Sequence, residues 1–406
     1  MTRCCVVGGG PAGMVLGLVL ARCGVEVVVL EKHADFLRDF RGDTVHASTL
    51  TLLDELGLGE RFAAIPHRLI DRARVQLDSG TFTLAQLDRL PGRHRHIALA
   101  PQWDLLDLLA DAGRAEPGFT LRMSTEVTGL LRGDGGRVRG VRYRDAGGEG
   151  ELTADLVVAC DGRGSATREA AGLRARSFGV PMDVWWFRLP RFGGDDNGAV
   201  FRVAAGRAMV LIDRGDYWQC AYLIGKDRDR ELRARPVDAL HSEVAELVPW
   251  VAERVTTVTS WDDVKLLRVR LDRLRRWWTD GLLCIGDAAH AMSPVGGVGI
   301  NLAVQDAVAA ARILAGPLRS GPPAPRDLAR VQARRWLPTA VTQAAQRAAH
   351  RVIIAPVLTG DRTAGTATRP PLPFRLLTRA PALRRLLARA VAIGLLPEHP
   401  PAAARR

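Results

Sequence analysis

The N-terminus of the 406-residue chain places a glycine-rich turn between an apolar strand pattern and a helical pattern. Residues 4–13 read Cys-Cys-Val-Val-Gly-Gly-Gly-Pro-Ala-Gly, and the helical pattern continues to Arg22. A second apolar stretch, residues 25–30, ends in Glu31. A strand, a glycine turn, a helix, a second strand and an acidic residue about 20 positions later form the unit that binds dinucleotides. This order predicts an α/β fold with a bound dinucleotide.

Each residue of this turn has its own expected role. Gly8 makes the tight turn, Gly10 admits the pyrophosphate, and Gly13 lets the helix and the strand pack closely. The carboxylate of Glu31 is expected to bind the hydroxyls of the adenosine ribose. The expected contacts also include the adjoining residues Pro11, Ala12 and Lys32.

A second glycine-rich loop follows the apolar stretch 282–285 and runs into a helical pattern that begins near Gly299. The N-terminus of a helix carries unpaired N–H groups and a partial positive charge, so it can hold an anionic group. Asp287, at the carboxyl end of the strand, is placed to bind a sugar hydroxyl. The expected cofactor contacts of this loop are Gly286, Asp287, Pro294, Gly296, Gly297, Val298, Gly299, Ile300 and Asn301.

Asp161-Gly162 stands between these two motifs, in the turn that begins at Cys160 after the short apolar run 156–159. Alone, Asp-Gly is a common turn dipeptide. The three motifs in this order resemble those of the class A flavoprotein monooxygenases, the p-hydroxybenzoate hydroxylase-like family, over about residues 1–330. The resemblance implies a discontinuous Rossmann-like FAD-binding domain, FAD as cofactor and NAD(P)H as reductant. It also assigns FAD contacts to Arg41, Gly42 and Gln102.

The same resemblance implies hydroxylation of an aromatic or polyketide-like small molecule, with O2 as the source of oxygen. NAD(P)H would reduce FAD, and a flavin C4a-hydroperoxide would transfer one oxygen atom. Pro294 and Gly297 would shape the cavity beside the flavin. His46 is a candidate for proton transfer, because a histidine titrates near neutral pH. The alternative for His46 is a structural histidine bonded to the backbone.

The positions of the motifs suggest a division of the chain. Residues 1–67, 98–178 and 272–330 are expected to form the FAD domain, and residues 68–97 and 179–271 a mixed sheet that holds the substrate. Residues 331–406 would form a C-terminal helical segment. The sheet is expected to present an apolar pocket, which suits an aromatic ligand. Its expected lining is Val45, Trp185, Phe187, Leu211, Tyr217 and Tyr222.

The bulk properties agree with an intracellular enzyme. No apolar run reaches the roughly 18 residues that a membrane span needs, and the first strand begins almost at Met1. The six cysteines show neither metal spacing nor a disulfide framework, so a cytoplasmic location is expected. The net charge is +13, but the arginines are scattered and accompany no nucleic-acid-binding motif. We therefore expect no nucleic-acid partner.

Three alternatives share some of these features. A flavin-dependent halogenase would need an active-site lysine and a tryptophan-rich motif that residues 184–190 do not match. A flavin reductase would use the same cofactor site without inserting oxygen. A non-catalytic flavin-binding or membrane-docking protein would use the basic amphipathic pattern of residues 382–391. The favoured interpretation of that last pattern is a helix packed across the FAD domain.

Overall fold

The structure is a computed structural model that describes residues 2–37, 44–195, 198–204, 206–359 and 380–406. Arg41 and Gly42, two of the expected FAD contacts, lie outside these ranges. The helices are α1 Pro11–Arg22, α2 Ala47–Glu55, α3 Gly59–Ala63, α4 Gln102–Arg114, α5 Ala166–Ala170, α6 Asp229–Arg233, α7 Asp238–Leu247, α8 Gly299–Ser320, α9 Pro325–Ala349, α10 Ala355–Leu358 and a C-terminal helix Pro381–Ala392.

The strands fall into two large sheets and two small ones. The strands are β1 Thr2–Val7, β2 Val27–Leu30, β3 Thr44–Val45, β4 Arg68–Ile70, β5 Arg72–Leu77, β6 Gly80–Gln86, β7 Ile97–Leu99, β8 Phe119–Arg122, β9 Glu126–Arg132, β10 Val138–Asp145, β11 Gly148–Ala159, β12 Ala175–Ser177, β13 Met182–Pro190, β14 Ala199–Ala204, β15 Arg207–Asp213, β16 Tyr217–Gly225, β17 Lys265–Leu267, β18 Asp272–Leu274, β19 Trp278–Thr279 and β20 Leu282–Cys284.

The first large sheet has the order β19-β20-β11-β1-β2-β8, and β1, β2, β8, β11 and β20 run parallel. Strands buried on both faces read as continuous apolar runs, as β1 and β2 do. The helices α1, α4 and α8 pack together beside this sheet. The predicted Rossmann-like α/β fold is therefore confirmed. The sequence did not predict the antiparallel extension formed by β9, β10 and the first part of β11.

The second large sheet has the order β17-β13-β16-β15-β14-β5-β6 and is mixed, because β14 and β5 pair in parallel while the other pairs are antiparallel. The predicted hairpin around residues 74–84 joins it through this parallel pair. Alternate residues of its strands point to opposite faces. One face packs on α7, and the other packs on Val295 of the glycine-rich loop and on Ile354 and Val357.

The C-terminal part of the chain returns to the first domain. The C-terminal helix packs with Ala388 and Ala392 against Ala47 of α2 and Ala85 of β6. The helix therefore packs on both α2 and β6, whereas the favoured interpretation placed it across the FAD domain alone. Among the described residues, no helix is both long enough and apolar enough to cross a membrane.

Candidate functional site

The N-terminal glycine turn brings the carboxyl ends of β1 and β11 together. A Cβ on Gly13 would lie 1.9 Å from the Gly8 carbonyl oxygen, and a Cβ on Gly8 would lie 2.6 Å from the Cys160 carbonyl oxygen. Gly8 also has a φ of +103°, a conformation that other residues rarely adopt. A Cβ on Gly10 would meet no atom within 4 Å. The turn is therefore closely packed on its inner side and open above Gly10.

Glu31 lies at the end of β2 beside this turn and is 8% exposed. One carboxylate oxygen accepts a hydrogen bond of 2.8 Å from the Gly9 N–H, and the other interacts with the backbone and the ring of His33. Burial alone would raise the pKa of Glu31, but the hydrogen bonds from His33 and Gly9 outweigh it and lower the pKa. The carboxylate is thus held ionised next to the open space above Gly10.

Asp161 and Gly162 directly adjoin the glycine turn, as the order of the motifs suggested. The Cα of Asp161 would lie 3.0 Å from a Cβ on Gly8. The Asp161 carboxylate accepts hydrogen bonds from the Ser165 hydroxyl at 2.5 Å and from the Thr167 N–H at 3.1 Å. These bonds organise the start of α5, so the contact of Asp161 with FAD stays a prediction.

Gly286 and Asp287 follow β20 at the same edge of the sheet. A Cβ on Gly286 would lie 3.1 Å from the Cβ of Ala303 on α8 and 3.4 Å from that of Ala12 on α1, so this glycine allows the two helices to converge. The Asp287 side chain is 35% exposed, with Nε of Arg163 4.0 Å from one oxygen. The two motifs that are farthest apart in the sequence therefore meet in one place.

The loop that precedes α8 makes two sharp bends. The Gly297 N–H donates to the Pro294 carbonyl at 3.0 Å, and Gly296 and Gly297 have φ values of +82° and +62°. The Thr44 hydroxyl donates to the Gly297 carbonyl at 2.9 Å. Val298 then caps α8, whose first backbone N–H groups have no acceptor within the helix. The expected helix N-terminus is present at Gly299.

Two neighbours of His46 hold the start of α8 from the side. The hydroxyls of Ser48 and Thr49 donate to the side-chain oxygen of Asn301 at 2.7 and 2.9 Å. His46 itself is fully buried, and its ring nitrogens lie 2.7 Å from the Val391 carbonyl and 3.0 Å from the Gly297 carbonyl. Burial lowers the pKa of His46, although the two carbonyls oppose that change. This is the backbone-bonded alternative, and a role in proton transfer stays a prediction.

Sequence analysis missed a buried ionic network behind the Gly286–Asp287 motif. The carboxylate of Asp306 on α8 accepts from the Gly286 N–H at 3.1 Å, contacts a ring nitrogen of His290 at 2.6 Å, and accepts from Arg335 of α9 at 3.0 Å. Burial would raise the pKa of Asp306, but His290 and Arg335 outweigh it and lower the pKa. Arg335 also lies 3.5 Å from the carboxylate of Glu398. The network ties the motif to the C-terminal segment.

Sequence analysis also missed the support that α9 gives to the glycine-rich loop. The side-chain amide of Gln346 donates to the carbonyls of Ser293 and Val295, each at 2.9 Å. The ring of His350 lies 2.8 Å from the Ser293 hydroxyl, where α9 continues into a π-helix. Such π-helical turns are frequent at functional sites. In a single sequence, nothing about a histidine or a glutamine on a long helix indicates that its side chain contacts a distant loop.

The structure buries most of the predicted pocket lining in the core. Four of the residues are at most 4% exposed and pack in the core against α7, and these are Trp185, Phe187, Leu211 and Tyr222. Val45 is 2% exposed and packs in the core of the first domain. The four sheet residues therefore lie on the face that α7 covers, and their contact with a substrate stays a prediction. Tyr217 is half-buried at the start of β16, with the Arg188 guanidinium 4.8 Å from its ring centre.

The opposite face of the sheet is the one that meets the glycine-rich loop. Val295 packs there in one apolar cluster with the following residues of the sheet: Phe82, Leu84, Val184, Trp186, Phe201, Val210, Ala221 and Leu223. Trp186 is half-buried, and its indole N–H is buried without a hydrogen-bond partner among the described residues. Trp186 therefore lies on the face of the sheet opposite to that of Trp185 and Phe187.

The residues at this edge of the sheet fit FAD. The open space above Gly10 at the N-terminus of α1 suits a pyrophosphate, and the ionised Glu31 beside it suits ribose hydroxyls. Pro11 and Ala12 form the first turn of α1, and Lys32 is exposed next to Glu31. Gln102 begins α4 directly after β7, which pairs with β3 near the loop. The N-terminus of α8 suits the flavin end of the cofactor.

Comparisons with known proteins agree with this fit. The family described as "FAD binding domain" matches residues 1–345. The 6-methylpretetramide 4-monooxygenase of Streptomyces rimosus is 35% identical over 393 residues, which are 96% of this chain and 91% of that protein. The aklavinone 12-hydroxylase DnrF of Streptomyces peucetius is 27% identical over 367 residues, which are 77% of this chain and 67% of that protein.

One solved structure illustrates the shared fold. The OxyS anhydrotetracycline hydroxylase from Streptomyces rimosus superimposes with a TM-score of 0.73 and 23% sequence identity. The superposition covers 98% of this chain and 77% of that chain. Both large sheets described above are therefore part of a known architecture.

Proposed function

The chain belongs to the FAD binding domain family and is an FAD-dependent monooxygenase, and on this basis we propose that it hydroxylates an aromatic polyketide. NAD(P)H is the reductant, and O2 supplies the oxygen atom. Bound FAD would take up hydride from NAD(P)H and, once reduced, activate O2. The protein itself contributes binding, orientation and an environment from which water is excluded.

The N-terminus of α8 has a defined part in this function. Its unpaired N–H groups at Gly299 and Ile300 and its partial positive charge would stabilise negative charge on the adjacent end of the cofactor. The glycines of the loop leave the backbone close to that position, and Gln346 and His350 hold the loop from behind. A loop that is fixed in advance requires little rearrangement when charge develops.

The substrate class rests on one observation, which is the apolar face that meets the glycine-rich loop. Val295 connects the loop to aromatic and aliphatic side chains of the sheet, among them Phe82 and Trp186. A broad apolar surface beside the flavin loop suits a planar aromatic ligand. The similarity to 6-methylpretetramide 4-monooxygenase over nearly the whole chain supports a substrate of that kind.

The test uses the FAD-loaded protein with 6-methylpretetramide, NADPH or NADH, and oxygen labelled with the heavy isotope. We expect a product that carries one labelled oxygen atom, detected by mass spectrometry, and no product under nitrogen. Oxidation of the nucleotide with the substrate present but without a labelled product would contradict the proposal and favour the reductase alternative.

Two adjacent tryptophans provide matched variants. Trp186→Ala should raise the KM for the polyketide while the flavin content stays unchanged, because Trp186 lies on the loop side of the sheet. Trp185 packs against α7 and donates a hydrogen bond of 2.6 Å to Asp229. Trp185→Ala should therefore lower the thermal stability, and at temperatures where the variant is folded its KM should stay near that of the wild type.

A further inference from the structure

Three arginines converge on one aromatic ring beside the short β12–β18 ladder. The guanidinium carbons of Arg176, Arg273 and Arg347 lie 5.5, 5.5 and 5.0 Å from the centre of the Phe178 ring. Arg176 belongs to β12, Arg273 to β18, and Arg347 to the last turn of α9. We call these three residues the arginine cluster.

No acid of the described residues neutralises the arginine cluster. Within the described part of the chain, no carboxylate forms an ion pair with any of the three, and Nη1 of Arg273 is buried without a hydrogen-bond partner. Burial and the charges of Arg176 and Arg347 lower the pKa of Arg273. Arg273 is half-buried, and a guanidinium nitrogen that is buried and unpaired is unfavourable unless something else binds it.

The strand register makes the repulsion explicit. Arg176 and Arg273 stand directly opposite each other in the antiparallel β12–β18 ladder. Like charges at directly opposed positions destabilise a sheet. Arg144 on the β10–β11 hairpin, in contrast, is paired with Glu149. The β12–β18 ladder therefore holds a positive charge that an anion would compensate.

The surroundings of the cluster connect it to the flavin loop and to solvent. Phe178 packs against the apolar cluster that contains Met292, Val298 and Leu302, and Val298 caps α8. On the other side, the Arg273 guanidinium lies 4.9 Å from the ring centre of Trp336, which is 43% exposed. An exposed aromatic ring beside arginines is a surface on which a nucleotide base can stack.

We propose that the arginine cluster binds the phosphate groups of NAD(P)H, with Trp336 beside the adenine. The inference rests on the proposed function, which requires this reductant. The sequence contains one complete dinucleotide fingerprint, and its residues are those that fit FAD. The reductant therefore needs an anion-binding site elsewhere, and a guanidinium is well suited to bidentate phosphate contacts.

The experiment measures nucleotide binding to the FAD-loaded protein, separately from turnover. NADP⁺ and NAD⁺ are titrated by calorimetry into the wild type, Arg273→Gln and Arg176→Gln. The matched control is Arg326→Gln, an exposed arginine on the same helix as Arg347 but about 30 Å away along its axis. Arg176 is exposed, so its variant is expected to fold even if removal of Arg273 disturbs packing.

We expect the Kd for NADP⁺ to rise about tenfold to a hundredfold in each cluster variant, because each loses a charged hydrogen bond. The Kd of Arg326→Gln should match the wild type. In anaerobic stopped flow, the rate of flavin reduction at saturating NADPH should stay unchanged, since the cluster binds phosphate and does not touch the nicotinamide. A rise for NADP⁺ alone identifies the 2′-phosphate as the ligand, and an equal rise for both nucleotides identifies the pyrophosphate.

Two results would overturn the inference. One is an unchanged Kd for both nucleotides in the cluster variants. The other is inorganic phosphate that binds to the cluster and is not displaced by NADP⁺. That result would make the cluster a simple anion site. If neither nucleotide reduces the flavin of the wild type, the proposed function itself fails. The titrations of the variants therefore test the arginine cluster, and flavin reduction in the wild type tests the proposed function.

Discussion

Alanine at Gly10 and alanine at Gly13 should separate cofactor binding from folding, although both positions lie at the start of α1. A Cβ on Gly13 would lie 1.9 Å from a backbone oxygen, that of Gly8, which cannot rotate away. A Cβ on Gly10 would meet no protein atom within 4 Å. The space above Gly10 is the space that the pyrophosphate of FAD would occupy.

The magnitudes follow from these distances. Gly13→Ala must push α1 away from the turn, and overpacking of this kind destabilises by about 3 kcal/mol. Gly10 has a φ of −72°, which alanine adopts without strain. There, the reduced entropy of the unfolded chain roughly offsets the weaker helix cap, so stability should change by less than about 0.5 kcal/mol. Loss of one charged hydrogen bond to the pyrophosphate should weaken FAD binding about tenfold to a hundredfold.

The assay has two parts, both on protein stripped of flavin. Urea unfolding gives the free energy of unfolding of each variant, and titration with FAD, followed by flavin fluorescence, gives its Kd. A Gly10→Ala variant that binds FAD like the wild type would refute the assignment of the pyrophosphate to this turn. A Gly13→Ala variant as stable as the wild type would refute the packing argument.

Three further perturbations test other parts of the site. Asp306→Asn leaves Arg335 buried beside a neutral side chain, so urea unfolding should show that the free energy of unfolding falls by about 3–5 kcal/mol. Because the pKa of Asp306 is lowered in the folded protein, the contribution of Asp306 to stability is complete above about pH 4 and disappears as the pH falls further. Because the pKa of His46 is also lowered, the wild type should lose stability as the pH falls below about 6.5. His46→Gln should flatten the dependence of the melting temperature on pH in that range. If the variant and the wild type showed the same dependence, burial of a neutral His46 would be contradicted. Asp287→Ala should lower the ratio of flavin to protein absorbance after purification, and full occupancy would refute its assignment to a sugar hydroxyl of FAD.

The sequence predicted the cofactor end of the molecule because its signals are local. Gly13 is required by its distance to the Gly8 carbonyl in the same turn, and Gly8 by its positive φ. Glu31 follows from its place after an apolar strand. The helix N-terminus at Gly299 was likewise visible as a glycine-rich stretch between two patterns. Each of these features depends on the geometry of one short segment.

The substrate face and the supporting network could not be predicted in the same way. Alternation along β13 shows that Trp185 and Trp186 face opposite sides, but it does not show which side α7 covers. Asp306 and Arg335 pair across two long helices, and a single sequence contains no signal that joins two such polar residues. These contacts are set by tertiary packing, which local patterns do not encode.

The strand order of the first sheet also bears on how the protein acquires its shape. The adjacent strands β1, β11 and β20 come from residues near the start, the middle and the last third of the chain. Contacts between such distant segments form slowly, because long loops must close before any pairing stabilises them. The glycine turn and the N-terminus of α8 can face each other only after β20 has docked. We therefore expect flavin to bind late in folding, after the central sheet has closed, and refolding to show a slow phase that added FAD does not accelerate.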